Sequence, residues 1–500
     1  MSLRPGRLVR ATSLLVAFSL FTACVSASTA SAVGFSTTTS TDVALAASTT
    51  GLDKIQHFVF IMQENHSFDS YFGTYPGADG LPAGVCVPSP HGDCIAPYHN
   101  SNPVNHGGPH DWANAHADID NGQMDGFVTQ AYQGMSRQGI SCSLIQAKCA
   151  PGRDPRDVMG YHDYHEIPNY WNYAHLYVLQ DRMFSSVPSY TLPNRLYSLA
   201  AQSGGLLRLN QPKPKSLDFP EITELLTSKG IDWKYYVTVG KQIDLRNGHV
   251  VAPGSTLVPL PDQFSYYNPL PAFAQVLNDP HERSRLVETS QFYVDAETGH
   301  LPAVSWVVPN DVVSEHPPSD IRVGEAYVTG LVDAVMEGPD WDSTAIFISY
   351  DEWGGFYDHV VPPTVDGVQL GLRVPGLVIS PYAKEGYVDH HVYSPASWLR
   401  IVEERFGLAP MTARDATAND MLDAFDFSQN PRPPVILAPT LQGSPYPQPL
   451  QVITWNQGLT ASWQARQLTT FTEAETNLTR KLTEVAGQLV RLAGLVRGMP

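Results

Sequence analysis

The sequence predicts an α/β protein with a mostly parallel central sheet and helices on both faces. Short apolar runs typical of buried strands alternate with longer segments of helical periodicity, and parallel strands are usually joined through such helices. The predicted strands lie at 58–62, 233–239, 303–308, 344–350 and 374–379. The predicted helices lie at 164–178, 219–229, 269–278, 284–297, 322–337 and 395–406.

The composition is that of a large globular enzyme. Of the 500 residues, 43% are hydrophobic and 16% are charged, which is enough apolar material for a large core. The net charge of −18 opposes long-range attraction to nucleic acid or to an anionic membrane. A phosphate-bearing substrate would therefore need positive charge supplied locally, and we expect no nucleic-acid partner.

The amino terminus predicts export. Arg4, Arg7 and Arg10 precede the apolar stretch 14–23, and 30–32 fits a small-residue cleavage site, so we interpret 1–32 as a signal peptide. Lipoprotein processing at Cys24 is an alternative. We expect a secreted or cell-surface protein.

The remaining chain divides into three parts. Residues 33–54 form a Ser/Thr-rich linker, 55–430 a catalytic domain and 431–500 a Pro-rich connector with a final amphipathic helix over 472–495. The stripe of that helix indicates docking or self-association, and the oligomeric state stays open.

Within the catalytic domain, residues 73–160 predict a loop-rich excursion that holds the four cysteines of the mature chain. An even cysteine count in an exported protein predicts two disulfides, with three possible pairings. We favour the local pairs Cys86–Cys94 and Cys142–Cys149.

Two acidic pairs follow predicted strands. Glu64 and Asn65 follow 58–62 after one intervening residue, Gln63, and Asp351 and Glu352 come directly after 344–350. The carboxyl ends of strands are where open α/β sheets bind ligands, and oxygen ligands attract hard metal ions. The sequence therefore predicts one divalent metal site, with Ca²⁺, Zn²⁺ or Mg²⁺ as candidates. The alternative for each pair is an ordinary helix cap.

A hydroxyl for nucleophilic attack is available at Thr191, a few residues before the stretch 196–203, which has a helical pattern. Helix N–H groups there favour phosphate, although Thr191 could equally be a simple N-cap. Asn194 is a candidate phosphate ligand, while Arg195 could bind phosphate or form a structural ion pair.

Three histidines are candidates for acid–base chemistry or phosphate binding. His110, His316 and His359 each lie in a polar, turn-rich segment near a predicted ligand.

Several other enzyme signatures are absent from the sequence. It contains no Gly-x-Ser-x-Gly, no phosphate loop ending in Gly-Lys-Ser/Thr, no His-Glu-x-x-His and no Gly-x-Gly-x-x-Gly. Elbow-type serine hydrolases, P-loop NTPases, zincins and dinucleotide enzymes are therefore disfavoured.

Four ordered motifs resemble the bacterial phospholipase C / acid phosphatase phosphoesterase family, which includes the plant non-specific phospholipases C. The resemblance covers residues 55–425. The motifs are Ile61-Met62-Gln63-Glu64-Asn65-His66-Ser67-Phe68-Asp69, Thr191-Leu192-Pro193-Asn194-Arg195, Glu315-His316-Pro317 and Asp351-Glu352-Trp353-Gly354-Gly355-Phe356-Tyr357-Asp358-His359.

The resemblance implies an alkaline-phosphatase-like fold and a set of residue roles. Thr191 would be a nucleophile that forms a phospho-enzyme, and His316 and His359 would bind phosphate or transfer protons. Many relatives have His where this chain has Trp353, so any role of that His is missing here. The implied metal ligands are Glu64, Asn65, Asp351 and Glu352.

The function predicted on this basis is a secreted, metal-dependent phosphoric ester hydrolase. The resemblance favours a phospholipase C that cleaves phosphatidylcholine-type lipids, with transient contact to a membrane surface. An acid phosphatase acting on soluble monoesters, a headgroup phosphotransferase and an exported binding protein without turnover are the alternatives.

Overall fold

A computed structural model describes residues 51–137, 154–207, 214–239, 242–244, 249–251 and 260–438. The predicted signal peptide, most of the linker, Cys24, the Cys142–Cys149 pair and the predicted helix over 472–495 lie outside these residues.

The described residues form an eight-stranded central sheet. In chain order its strands are β1 (His57–Gln63), β2 (Val178–Gln180), β3 (Trp233–Val237), β4 (Leu286–Glu288), β5 (Val304–Val308), β6 (Thr344–Tyr350), β7 (Gly376–Ile379) and β8 (Tyr387–Asp389). Their order across the sheet is β4-β3-β5-β1-β6-β7-β2-β8. All neighbouring pairs are parallel except the two that β7 makes with β6 and β2.

Helices surround this sheet. They are α1 (Phe68–Phe72), α2 (Trp112–Ile119), α3 (Phe127–Arg137), α4 (Pro168–Leu176), α5 (Thr191–Ala200), α6 (Ile222–Ser228), α7 (Ala274–Asn278), α8 (Pro280–Arg283), α9 (Thr289–Thr298), α10 (Ile321–Glu337), α11 (Pro395–Phe406) and α12 (Ala413–Ala416).

The main core lies against the middle of the sheet. Every residue of β6 is buried, so both of its faces are covered, as expected for a parallel sheet between helices. Phe60 of β1 stacks on Trp398 of α11 with ring centroids 5.0 Å apart, and Phe58 meets Phe406 edge-on at 6.0 Å. The predicted fold class is confirmed.

Three short strands, β2, β4 and β8, were not predicted. Each has three residues, which is too few for an apolar alternation to be visible. β4 falls inside the segment 284–297 that was predicted as a helix, and β2 begins at the last residue of the predicted helix 164–178. Helix α4 instead ends at Leu176, because Tyr177 has non-helical backbone angles (φ −134°, ψ −137°), and α9 begins only at Thr289.

The excursion 73–160 is more ordered than its sequence suggests. It contains α2 and α3, and residues such as Phe127 and Val128 form a second hydrophobic core with Trp353. Helix α2 begins with a capping box, in which Asn114 N donates to Asp111 Oδ1 at 2.8 Å. The predicted Cys86–Cys94 disulfide is present.

The compact domain extends past both predicted boundaries. Leu52–Lys54 form a 3₁₀ helix in which Leu52 is buried, and Ile436 and Leu437 pack against the main core. Among the described helices, none is long and apolar enough to cross a bilayer.

Candidate active site

The carboxyl ends of β1 and β6 bring the two predicted acidic pairs together. The parallel register ends with Gln63 opposite Tyr350, so the next residues leave the sheet side by side. Asp351 N donates to Gln63 O (3.1 Å), and Asn65 N donates to Asp351 Oδ1 (3.1 Å). All four predicted ligands are buried: Glu64, Asn65, Asp351 and Glu352.

Glu64 is held from two directions. Its Oε1 accepts Arg195 Nε (3.0 Å) and Nη2 (2.7 Å), and its Oε2 accepts the Thr191 hydroxyl (3.2 Å). Burial raises the pKa of Glu64 well above its ordinary value, Asp351 raises it further, and Arg195 opposes the rise. Arg195 therefore neutralises part of the Glu64 charge that a bound metal ion would otherwise have to compensate.

Thr191 is the first residue of α5. Its side chain is buried and already points at Glu64, while the helix start presents N–H groups and the positive end of the helix dipole. Arg195 lies one turn further along the same helix. The helix thus delivers a hydroxyl and a guanidinium to the same carboxylate.

Asn194 shapes the loop that precedes Thr191. Its Oδ1 accepts Val187 N (2.9 Å), and its Nδ2 donates to Ser189 O (2.8 Å) and Tyr190 O (3.0 Å). Both amide atoms are engaged within the loop, so this geometry does not support the predicted phosphate binding by Asn194.

Three buried side-chain oxygens of the predicted metal ligands have no hydrogen-bond partner. They are Asn65 Oδ1, Asp351 Oδ2 and Glu352 Oε1. Burial and the neighbouring Asp351 raise the pKa of Glu352 well above its ordinary value. Buried oxygens are normally paired, so an unpaired set of this kind fits a bound cation with oxygen ligands.

The glycine pair after Glu352 is required by close backbone contacts. Gly354 has φ +63°, and a Cβ there would lie 2.3 Å from Asn65 O; Gly355 has φ +75°, and a Cβ there would lie 2.4 Å from Gly108 Cα. This turn presses the second acidic motif against the first one and against the loop that carries His110.

His110 orients the Asn65 amide. Its Nδ1 lies 2.8 Å from Gly108 O, which requires a proton on Nδ1, and burial with His316 nearby lowers the pKa of His110 to about 4. In the neutral ring Nε2 is then an acceptor, and it receives Asn65 Nδ2 at 3.2 Å. Asn65 Oδ1 is thereby directed away from His110, and Glu352 Oε1 lies 3.6 Å from the same Nε2.

His316 lies beside this group. Its ring centroid is 6.0 Å from that of His110, and its Nδ1 is 2.8 Å from Pro317 O. The ring is partly exposed, so Nε2 is the nitrogen available to a substrate. We call Glu64, Asn65, Thr191, Asp351 and Glu352 the Glu64 cluster, and His110 and His316 flank it.

His359 belongs to a different group, which we call the Arg373 cluster (Asp69, Asp358, His359 and Arg373). His359 Nδ1 lies 2.7 Å from Asp69 Oδ2, and its Nε2 lies 3.3 Å from Asp79 Oδ1. Arg373 Nε donates to both oxygens of Asp358 (3.1 Å each) and Nη2 donates to Asp69 Oδ1 (2.9 Å). These contacts do not bring His359 to the Glu64 cluster.

Trp353, which stands where many relatives have His, faces the second hydrophobic core. Its Nε1 donates to the buried Asp118 Oδ2 at 3.0 Å, and its ring lies edge-on to His110 at 6.3 Å. The indole therefore supports His110 instead of offering a ligand or a proton acceptor.

Glu315 was not among the predicted site residues. This fully buried carboxylate accepts four side-chain hydrogen bonds, and burial raises its pKa to about 7 against the opposing effect of those donors. The signal available in the sequence was its place beside His316 in the third motif. Arg373 lies outside the four motifs, and one of the two acids that it pairs with, Asp69, is 304 residues away in the chain.

Among the described residues, three other groups of acidic and histidine side chains have ligand atoms within 4.8 Å of one another, and the Glu64 cluster is not one of these groups. The Asp69/Asp358/His359 group already contains the Arg373 guanidinium. The other two groups are His99/Asp163/His165 and Asp389/His391/Asp423.

Comparison with known proteins places these motifs in one family. The model of the Phosphoesterase family matches residues 55–409. Phospholipase C B of Mycobacterium tuberculosis (strain CDC 1551 / Oshkosh) is 30% identical over 76% of this chain and 80% of its own length. Hemolytic phospholipase C of Pseudomonas aeruginosa is 30% identical over 75% of this chain and 56% of its own length.

The plant relative Non-specific phospholipase C1 of Arabidopsis thaliana is 26% identical over 76% of this chain and 72% of its own length. A solved protein of the alkaline phosphatase superfamily from Vibrio parahaemolyticus covers 53% of this chain and 66% of its own chain, with 14% identity and a TM-score of 0.32. The chain belongs to the Phosphoesterase family and is a phosphoric ester hydrolase, as its four motifs predict.

Proposed function

We propose that this protein is an exported phospholipase C in which Thr191 is the nucleophile. The observation that carries the proposal is the Thr191 hydroxyl at the start of α5, bound to Glu64 beside three unpaired buried oxygens. The two bacterial relatives described above are both named phospholipase C, and the amino-terminal sequence pattern supports export.

A divalent cation fits the unpaired oxygens. Asn65, Asp351 and Glu352 would hold it, with Glu64 as the fourth predicted ligand, and Ca²⁺, Zn²⁺ and Mg²⁺ remain the candidates. Such an ion lowers the pKa of a nearby hydroxyl and neutralises charge on phosphate oxygens.

In the first step Thr191 Oγ1 attacks phosphorus, and its proton passes to Glu64 Oε2, the acceptor it already contacts. The bond from phosphorus to the diacylglycerol oxygen breaks, and that oxygen takes a proton from protonated His316. Glu64 Oε2 is already positioned to accept this proton, and α5 directs N–H groups toward the phosphate.

In the second step a water molecule attacks the phosphothreonine and gives its proton to His316. The Thr191–phosphorus bond breaks, Thr191 recovers the proton from Glu64, and the phosphorylated headgroup leaves. His110 keeps Asn65 oriented throughout, because its Nε2 holds the Asn65 amide.

The residues at the rim of the site favour a substrate with a cationic headgroup. Tyr190, next to Thr191, is partly exposed, and its ring lies edge-on to His110 at 6.0 Å. After burial, the nearby Asp111 is the main cause of the raised pKa of Tyr190. An aromatic ring beside a carboxylate suits a quaternary ammonium group, such as choline.

The experiment is a product assay on the purified mature protein. After dialysis against chelator, it is given phosphatidylcholine vesicles or a simple phosphate monoester, with Ca²⁺, Zn²⁺ or Mg²⁺ added singly. We expect diacylglycerol and phosphocholine in equal amounts, restored by one of these ions. Faster turnover of the monoester would identify an acid phosphatase, and full activity in excess chelator would contradict the metal assignment.

A further inference from the structure

Glu315 is a buried carboxylate that Gln63 and the hydroxyls of three tyrosines surround. Its Oε2 accepts Tyr71 OH (2.6 Å) and Tyr350 OH (2.8 Å), and its Oε1 accepts Tyr170 OH (2.5 Å) and Gln63 Nε2 (3.1 Å). An ionised carboxylate has about four acceptor positions, so these donors satisfy it completely.

Two of the four donors come from the strand ends that carry the active site, and Tyr71 and Tyr170 come from α1 and α4. Gln63 is the last residue of β1 and precedes Glu64, and Tyr350 is the last residue of β6 and precedes Asp351. Glu315 itself follows β5, the other neighbour of β1. One carboxylate therefore joins the ends of three adjacent strands.

The backbone next to Glu315 makes a second connection to the active site. Glu64 N donates to Ser314 O at 2.9 Å, so the first ligand residue is hydrogen-bonded to the residue that precedes Glu315. His316 follows directly, in the loop that places it 6.0 Å from the His110 ring. A shift of Glu315 would therefore move Glu64 through the hydrogen bond from Glu64 N to Ser314 O, and it would move His316 through the peptide bond that joins the two residues.

The structure makes unusual room for this side chain. Glu315 has a left-handed backbone (φ +69°), which a non-glycine residue rarely adopts. In α10, a Cβ at Gly324 would lie 2.1 Å from Glu315 Cγ, so the helix needs glycine at that position. A left-handed non-glycine residue and a glycine inside a helix both lower stability locally. The fold accepts both costs at the place where the Glu315 carboxylate is buried.

We propose that Glu315 is a positioning residue of the active site, which fixes the ends of β1 and β6 so that the ligand residues and His316 keep their mutual geometry. The inference deepens the proposed function, because the group that it positions is the Glu64 cluster. Glu315 does not touch the reacting atoms in this arrangement.

Glu315→Gln tests the proposal with little change in volume. The new amide nitrogen cannot accept the hydroxyl protons that one carboxylate oxygen now receives, so two of the four contacts must rearrange. Loss of comparable supporting contacts around metal ligands costs 10- to 100-fold in metal affinity or activity. We expect a fall in kcat of that size, with little change in KM.

Asp295→Asn is the matched control. Asp295 is likewise buried and accepts Tyr236 OH at 2.7 Å, together with Lys234 and Gln291, but none of these partners adjoins the Glu64 cluster. This variant should lose thermal stability while keeping kcat and its response to metal. If Glu315→Gln does not fold, Tyr170→Phe tests the proposal in its place, because it removes only one of the hydrogen-bond donors to Glu315.

Two readouts on the full mature chain do not depend on turnover. Hydrogen exchange should accelerate in peptides covering 62–66 and 349–352 in Glu315→Gln, and not in Asp295→Asn. The Ca²⁺, Zn²⁺ or Mg²⁺ concentration that half-maximally raises Tm should increase 10- to 100-fold, and to a smaller extent in Tyr170→Phe.

Unchanged exchange in both peptides would overturn the proposal, and so would a metal response in Glu315→Gln equal to that of Asp295→Asn. Failure of the proposed function would look different. The wild-type chain would then hydrolyse no phospholipid, while the exchange comparison between Glu315→Gln and Asp295→Asn would still decide the role of Glu315.

Discussion

The Glu64 cluster and the Arg373 cluster are built from similar residue types in the same two motifs, but their charges are compensated differently. In the Arg373 cluster, both oxygens of Asp69 and of Asp358 accept hydrogen bonds from Arg373, from His359 or from backbone N–H groups. In the Glu64 cluster, Arg195 and Thr191 satisfy Glu64, while three other oxygens stay unpaired.

This difference indicates which of the two acidic clusters can bind a ligand. A buried carboxylate that is fully paired holds elements together, and its site has no capacity left for a substrate or a cation. Unpaired buried oxygens are costly unless a ligand completes them. We therefore regard the Arg373 cluster as scaffold and the Glu64 cluster as the reactive centre.

The largest effect is expected from Thr191→Ala. Removal of a nucleophile typically costs several powers of ten, so phospholipid turnover should fall by roughly 10⁴-fold or more. Stability should fall by about 1 kcal/mol, since one hydrogen bond to Glu64 is lost. Ser198→Ala, which removes another buried hydroxyl from α5, is the control and should keep its activity. Residual turnover of the Thr191 variant within tenfold of wild type would remove Thr191 from the mechanism.

His316→Gln and His359→Gln separate the two clusters directly. A general acid typically contributes 10²- to 10⁴-fold, so His316→Gln should lower kcat by that range. His359→Gln should lower it less than about tenfold, because its contacts are with Asp69 and Asp79. Steady-state kinetics on the same vesicles would decide, and the reverse ranking would return His359 to its predicted catalytic role.

Arg373→Met should unfold the protein more readily without changing its response to metal. Removing one partner of a buried ion pair typically costs 3–5 kcal/mol, because Asp69 and Asp358 would be left buried without compensation. Denaturant unfolding measures the loss. Arg322→Met, at a largely exposed pair with Asp320, should cost less than about 1 kcal/mol. A loss below 1 kcal/mol at Arg373 would contradict its role as scaffold.

Glu403 tests whether unpaired oxygens always indicate a ligand site. Neither of its carboxylate oxygens accepts a hydrogen bond from a donor group. Burial, together with the neighbouring Asp415 carboxyl, raises its pKa to about 8 from an ordinary value of 4.5. At Glu403 a bound proton, and not a bound cation, removes the cost of burying an unpaired carboxylate. Between these pH values the folded chain holds a proton that the unfolded chain has lost.

Stability should therefore decrease as the pH rises from about 5 to 8, by at most about 1.4 kcal/mol per pH unit. Glu403→Gln stays neutral, so its stability relative to wild type should increase over the same range. Unfolding curves at pH 5, 6.5 and 8 measure this trend. A difference that does not change with pH would show that Glu403 is ionised in the folded protein.

Much of the fold could be predicted because its long strands carry strong local signals. The strands that end at Gln63 and Tyr350 are buried runs rich in apolar residues, and the polar residues after them therefore fall at the carboxyl edge of the sheet. The three-residue strands and the helices of the excursion carried no comparable signal. Trp353 could be identified as a departure from the family, but its contact with Asp118 depends on a segment more than 200 residues away in the chain.

The sequence by itself predicted the α/β class, the strands β1, β3, β5, β6 and β7, the two acidic pairs at the sheet edge and the hydroxyl at Thr191, and it favoured the Cys86–Cys94 pairing. These features follow from local patterns of apolar, turn-forming and cysteine residues. Only the tertiary structure decided which acids are compensated and which stay open. Arg195, Arg373 and the tyrosines around Glu315 reach their carboxylates by packing between distant segments, and no local pattern records which pairs will meet.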